Sequence, residues 1–204
     1  MTLQDILEVP TAASQSALEN DVWDDDERCS YSASGEYLLD AETFPSEVHV
    51  HPGTRVICDG VFAFQDYMAM DCRPGQSIPL EERDSFLEKI HLPDSLTHIG
   101  ESAFQECGQM ERIRLPKGLL YIGPYAFCDC WQMEHIAIPS TVKYIGDGAF
   151  LGCINLYSMS LGQDLEYIGK DAFKDTDLHE IKLPAKNTER VKALLPKRLQ
   201  KIAK

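Results

Sequence analysis

The sequence predicts a β-rich solenoid of about five to six rungs, on three observations: a period of 23 residues, an alternating apolar pattern inside each copy, and a different composition at each end. Phe104, Phe127, Phe150 and Phe173 are 23 residues apart, each behind an alanine at 103, 126, 149 or 172. Five residues before each Phe stands Ile99, Ile122, Ile145 or Ile168, and a glycine follows each isoleucine. Cys107, Cys130 and Cys153 come three residues after the first three phenylalanines, and Thr176 takes that place in the fourth copy. An L-x-x-L-x-L pattern then follows: Met110, Ile113, Leu115; Met133, Ile136, Ile138; Leu156, Met159, Leu161. A period of about 20–29 residues carrying that pattern describes a leucine-rich-repeat solenoid.

Each part of the chain has its reason. Residues 1–28 hold eight acids against one base and are expected to form an acidic leader, partly flexible or a short helix. Thr2 can cap a turn over TLQDILEV, and the DDDE run reads as a solvated linker. Residues 29–184 are the solenoid. Val48 and Val50 stand before Ile57 as Ile113 and Leu115 stand before Ile122, which adds a first rung. From Phe62 to Leu92 is 30 residues where Phe104 to Leu115 is 11, so an insertion of 19 residues lies at about 65–85. Ile113-x-Leu115 alternates as a half-buried strand does, with Arg114 outward. Stacked at about 4.8 Å, the hydrogen-bonded strand spacing, each column becomes a ladder, and the phenylalanines an aromatic spine. The glycines after the isoleucines are expected to serve positive φ or close packing. Residues 185–204 hold one acid and seven bases. They read as a short, basic, amphipathic helical cap: Asn187 caps it, Val191, Leu194, Leu195, Leu199 and Ile202 line its apolar side, and Pro196 opens a second turn. A solenoid needs such a cap because no rung buries its apolar face alone.

The copies IGESAFQECGQMERIRLP, IGPYAFCDCWQMEHIAIP and IGDGAFLGCINLYSMSLG resemble the BspA-like (treponemal-type) leucine-rich repeats. The opening segment YSASGEYLLDAETFPSEVHVHPGTRVICDGVF is similar to that family's first unit, a Y-S-x-x-G-x-x-L-L hairpin leading into a rung, and LPAKNTERVKALLPKRLQKI to its closing one. The resemblance covers roughly residues 30–204. It implies a right-handed, curved solenoid in a bacterial protein that binds proteins or host surface molecules without catalysis, and many members are exported.

Composition excludes other classes. With 33 acids against 19 bases and a net charge of −14, nucleic acid is not expected as a partner. No apolar run reaches the roughly 18 residues of a membrane span, so no membrane insertion is expected. MTLQDILEVPTAASQS has neither a basic n-region nor an apolar h-region, so a cytoplasmic place is expected, whereas the resemblance implies the cell surface or secretion. The chain contains no nucleophile elbow, phosphate loop, H-E-x-x-H or paired-carboxylate signal, so neither an enzyme nor a cofactor is expected. The 7 cysteines are an odd count, and the one-per-rung column reads as packing. His49, His51 and His91 are the one set suited to a weak metal ion. No carboxylate column is read as completing it, so an exposed histidine pair is expected and no metal ligand is assigned.

The chain is expected to be a monomeric module binding a protein or peptide through the outward residues of the repeat face. Bases gather at the second and third rungs (Lys89, Arg112, Arg114, beside His91), flanked by Glu88, Glu111 and Glu134, with His135 and Tyr157 further along. A contact for an acidic partner segment and cross-strand salt pairing within the face are both open readings. The insertion, with Tyr67, Met68 and Met70, is a second candidate contact. An exported, adhesin-like protein binding host matrix or surface molecules is the alternative.

Overall fold

Hydrogen bonds between successive copies of the repeat, together with short turn bonds inside each copy, build the molecule. The computed structural model describes residues 1–41, 46–63 and 87–204. Helices α1 (Leu3–Leu7) and α2 (Gln15–Glu19) lead into β1 (Val22–Asp24), β2 (Cys29–Tyr31) and β3 (Tyr37–Ala41). The first rung holds β4 (Glu47–His49) and β5 (Val56–Ile57), and the second holds β6 (Lys89–His91) and β7 (His98–Ile99). The third has β8 (Tyr121–Ile122), the fourth β9 (His135–Ala137) and β10 (Tyr144–Ile145), the fifth β11 (Ser158–Ser160) and β12 (Tyr167–Ile168). After β13 (Glu180–Lys182) come α3 (Thr188–Leu194) and α4 (Lys197–Gln200). The result is a β-solenoid of about five turns.

One side of the solenoid is an unbroken sheet in the order β1-β2-β3-β5-β7-β8-β10-β12. It is antiparallel through the opening hairpin and parallel from β3 onward. The isoleucine column (Ile57, Ile99, Ile122, Ile145) is fully buried. Beside it Phe62, Phe104, Phe127, Phe150 and Phe173 stack with centroids 5.2, 5.2, 5.3 and 5.7 Å apart, so the aromatic spine is present. The turns around each Phe are bonded rung to rung as well: the amides of Phe104, Phe127 and Phe150 donate to the carbonyls of Ala126, Ala149 and Ala172 at 2.8 Å. Cys107, Cys130 and Cys153 are fully buried, and their thiols donate to the carbonyls of Phe62, Phe104 and Phe127.

Positive φ lies elsewhere than the isoleucine-following glycines. A Cβ on Gly123 would stand 2.6 Å from the Gly100 carbonyl carbon, so that column exists to let adjacent rungs touch. The left-handed residues form two other columns, at Ser102, Tyr125, Gly148 and Asp171 and at Glu106, Asp129, Gly152 and Asp175. They stand two residues before and two after each Phe. The rung-to-rung bonds made there, such as Ser102 N to Pro124 O at 2.9 Å and Glu106 N to Cys128 O at 2.8 Å, hold that conformation against the Cβ penalty.

The ends differ from expectation in detail. The DDDE run is not a free linker: the Asp24 carboxylate accepts the amides of Asp26 and Glu27, making it the turn between β1 and β2. Helix α1 has a capping box between Thr2 and Asp5 and buries Ile6. Asn187 occupies the N-cap position of α3 in a left-handed conformation, but its side chain does not cap; its amide donates to the Gln163 carbonyl instead. Val191, Leu195, Leu199 and Ala203 pack on the core, and Ala203 bridges Ile181 as one more parallel rung. The basic residues here act on the backbone. Arg190 donates to the carbonyls of Leu165 and Gln163, Arg198 to that of Phe173, and Lys192 to that of Ala203.

Three outcomes follow from this packing. Phe150→Ala, deleting a fully buried ring from the stack, should lower the unfolding free energy by about 3–5 kcal/mol in denaturant titration. Ser102→Gly relieves a left-handed residue and should raise it by up to about 1 kcal/mol. The third concerns His98, which is buried and donates from Nε2 to the Ile6 carbonyl at 3.1 Å, pinning α1 to the second rung. Burial, aided by Arg55, holds its pKa below the usual 6.5. The folded state therefore binds fewer protons than the unfolded one near neutrality, so this contribution is complete above pH 6.5 and is lost as pH falls below it. The melting-temperature gap between wild type and His98→Gln should be wide at about pH 7.5 and narrow by about pH 5.5; a constant gap would refute the coupling.

Candidate functional site

The second side of the solenoid carries the outward residues of the repeat. Its inward positions Val48, Ile90, Ile113, Ile136, Met159 and Ile181 are buried. At each end it is a regular parallel sheet. β4 and β6 pair Glu47 with Lys89 and His49 with His91. β9, β11 and β13 align His135, Ser158 and Glu180.

Between the two pieces the expected strand at Ile113-x-Leu115 is missing. Ile113 and Leu115 are buried and Arg114 is exposed, as the alternation requires. Yet residues 112–115 exchange no backbone hydrogen bond with either neighbouring rung among the described residues; the nearest is Glu134 N to Glu111 O at 3.4 Å. The outward columns supply the reason. Stacking in register would set Arg112 opposite Lys89, and Glu111 between Glu88 and Glu134, and directly opposed like charges destabilise a ladder. The inward apolar contacts hold while the outer edge opens. Shallow grooves flank this third rung, two of them against the second rung. One of about 370 Å³ is lined by Glu88, Lys89, Gln109, Glu111, Arg112 and Gln132. The other, of about 380 Å³, includes His91, Asp94 and Arg114.

Lys89, His91, Glu111, Arg112, Arg114, Glu134 and Tyr157 are all exposed on this face, and His135 is half-buried. Among the described residues, Lys89, Arg112 and Arg114 have no carboxylate within ion-pair distance. His135 Nδ1 lies 3.0 Å from the Ser158 hydroxyl, and the Tyr157 ring tilts against it with centroids 5.1 Å apart. Tyr67, Met68 and Met70 lie outside the described residues.

The histidines are arranged more specifically than their spacing suggests. His49 and His91 stack with centroids 4.2 Å apart and planes 2° from parallel. His91 Nε2 lies 2.7 Å from Glu47 Oε1, and this hydrogen bond holds the Glu47 carboxyl below its usual range. Glu27, at the tip of the opening hairpin, accepts the His49 amide at 2.6 Å and faces His49 Nδ1 at 3.4 Å. His51, expected beside His49, is engaged elsewhere: its ring stacks on Tyr31 at 4.0 Å and its Nε2 pairs with Asp24. Sequence reasoning missed Glu27, which no periodicity connects to His49. It also passed over Glu47, whose two-residue spacing from His49 was a readable signal.

The thiols of the described residues offer little nucleophilic chemistry. Cys29, Cys58, Cys107, Cys128, Cys130 and Cys153 are free and buried. Burial pushes Cys29 and Cys58 up to about 12, so both stay protonated at neutral pH. No helix among the described residues is long and apolar enough to cross a membrane.

Comparisons with known proteins agree with this architecture. The family model described as BspA type leucine rich repeat region matches residues 83–194 in six copies. No curated protein matches the chain. A leucine rich cell surface protein from Faecalibacterium prausnitzii A2-165 is similar at 22% identity with a TM-score of 0.65, over 85% of this chain and 42% of that one. The pneumococcal vaccine antigen PcpA is similar at 18% identity with a TM-score of 0.62, over 86% and 44%. The T. pallidum leucine rich repeat protein TpLRR is similar at 20% identity with a TM-score of 0.50, over 91% and 97%. At these identities the likeness is one of fold, and the chain spans less than half the length of the first two. With six consecutive copies matched over more than half of its length, the chain belongs to the BspA type leucine rich repeat family.

Proposed function

We propose that the chain is a non-enzymatic module that binds a protein or peptide through its repeat face, with Lys89, Arg112 and Arg114 receiving an acidic, extended segment. The observation that carries this reading is the open third rung. It combines exposed bases lacking an ion pair among the described residues with backbone donors and acceptors at 112–115 that the sheet leaves unused. Extended segments are recognised by that pairing of main-chain hydrogen bonds with side-chain contacts. Salt pairing within the face would have brought Lys89, Arg112 or Arg114 against Glu88, Glu111 or Glu134, and no such pair is formed among the described residues. His91 and Glu111 line the same grooves, Glu134, His135 and Tyr157 stand further along the same face, and together they would set orientation and register. The repeat scaffold itself, generally non-enzymatic in this family, is consistent with binding.

A second reading is display at the cell surface, with host matrix or surface molecules as ligands. What favours it is that one structural relative is described as a cell surface protein. Fractionation separates the two readings: recovery in the envelope supports display, and recovery only in the cytosol removes it.

The binding face is tested with immobilised full chain, wild type against Arg112→Glu/Arg114→Glu. Reversing two exposed charges should leave the unfolding free energy within about 0.5 kcal/mol. Partner recovered at fixed concentration should fall by about tenfold or more, equivalent to a loss of about 1.4 kcal/mol. Equal recovery by both proteins would exclude the third rung as the contact.

A further inference from the structure

We infer that Glu47, His49 and His91 form a surface site for a divalent transition-metal ion of the zinc class, with Glu27 orienting one of its imidazoles. One ligand atom from each of the three lies within 4.8 Å of the others. Ligands around a tetrahedral ion at about 2.0–2.1 Å stand about 3.3 Å apart. The closure required is on the order of 1 Å and falls on exposed side chains: His49, His91 and Glu47 keep 58%, 55% and 44% of their side-chain surface.

The backbone has already done most of the positioning. Parallel pairing of β4 with β6 sets His49 directly opposite His91, and their rings lie face to face with planes 2° from parallel, so both exposed rings turn about their side-chain bonds to aim their nitrogens at one ion. Glu47 and His49 project from the same side of one strand. The ion would replace the proton shared between His91 Nε2 and Glu47 Oε1, 2.7 Å apart. A metal-binding histidine commonly gives its other ring N–H to a carboxylate, which fixes the tautomer and raises its basicity. Glu27 stands in that place. It lies 3.4 Å from His49 Nδ1 and is held by the His49 amide at 2.6 Å, leaving Nε2 as the free ligand. Two imidazoles and one carboxylate suit zinc, nickel or copper better than calcium or magnesium, which take oxygen. Lys89, opposite Glu47 in the register, carries the opposing charge and tempers the affinity. The protein supplies three ligands, and water completes the shell.

Zinc chloride titrated calorimetrically into the full chain, with its cysteines kept reduced, tests the site. One ion should bind per chain. His49→Ala and His91→Ala should each weaken binding by more than about tenfold, and Glu27→Gln by about tenfold, the usual effect of losing an orienting carboxylate. His179→Ala, at an exposed histidine paired with Asp177 on the sixth rung, should change nothing. All four positions are exposed or half-buried, so melting curves confirm the fold of each variant. Imidazole nitrogen resonances provide the independent measurement: those of His49 and His91 should move on zinc addition while those of His135 and His179 stay. Absence of saturable binding, binding that survives His49→Ala/His91→Ala, or equal shifts at all histidines would each overturn the site.

Discussion

The rung spacing governs everything else in this molecule. A short strand of two or three residues has no stability of its own; its amides and carbonyls must be met by the rung before and the rung after. On the continuous side that requirement is satisfied on both flanks from Val56–Ile57 to Tyr144–Ile145, with Tyr167–Ile168 as the edge strand, and again through the turns around each phenylalanine. Once the backbones are locked at that distance, the side chains have one solution per column. Rings stack at 5.2–5.7 Å, glycine stands where backbones touch, and a small residue fits beside the phenylalanine carbonyl. The thiols of Cys107, Cys130 and Cys153 meet that last condition and also saturate the carbonyl. Their recurrence therefore reflects packing and hydrogen bonding at one position of the rung.

The same constraint explains where the molecule is free to vary. Because the continuous side and the inward columns hold the rungs together, the outer face can lose a strand at Arg112–Arg114 without loss of core: Ile113 remains 9% and Leu115 7% exposed. A globular sheet rarely tolerates an interior strand without ladder bonds. A solenoid does, since each rung is anchored at several other points. Charge columns that would be excluded from an ordinary sheet are thus admitted, at the cost of opening the edge. The exposed bases and the unused backbone groups at the third rung are two results of one relaxation.

What the sequence revealed follows from this division. Phe104 to Phe173, Ile99 to Ile168 and Cys107 to Cys153 recur as the same side chain at constant spacing, and periodicity finds such columns directly. The left-handed columns through Tyr125 and Asp129 recur as a backbone conformation enforced by rung-to-rung bonds, and residues as unlike as Ser102, Tyr125, Gly148 and Asp171 occupy one of them; composition carries no trace of it. The break at the third rung lies in the like charges of the outward columns, whereas the inward Ile113 and Leu115 alternate as strand residues do and carry no sign of it. The contact between Glu27 and His49 depends on how the opening hairpin folds over the first rung, and a hairpin that precedes the repeat has no register from which its reach can be read.

Charge, finally, acts locally. A net −14 suggests a chain that repels acidic ligands, yet repulsion from charges more than about 8 Å away is largely screened at physiological ionic strength. Contact depends on which bases remain unengaged. Arg190, Arg198 and Lys192 donate to carbonyls at the closing end, where a further rung would otherwise have supplied amides. That use accounts for three of the seven bases in residues 185–204. Lys143 is bound between Glu166 and the Met1 carbonyl, and Lys182 pairs with Glu180 on its own strand. Lys89, Arg112 and Arg114 share neither kind of partner among the described residues, and they stand together on two adjacent rungs of the face whose backbone is open. Repulsion by the distant acids is screened there, so the overall sign of the protein does not by itself exclude an acidic segment from the third rung.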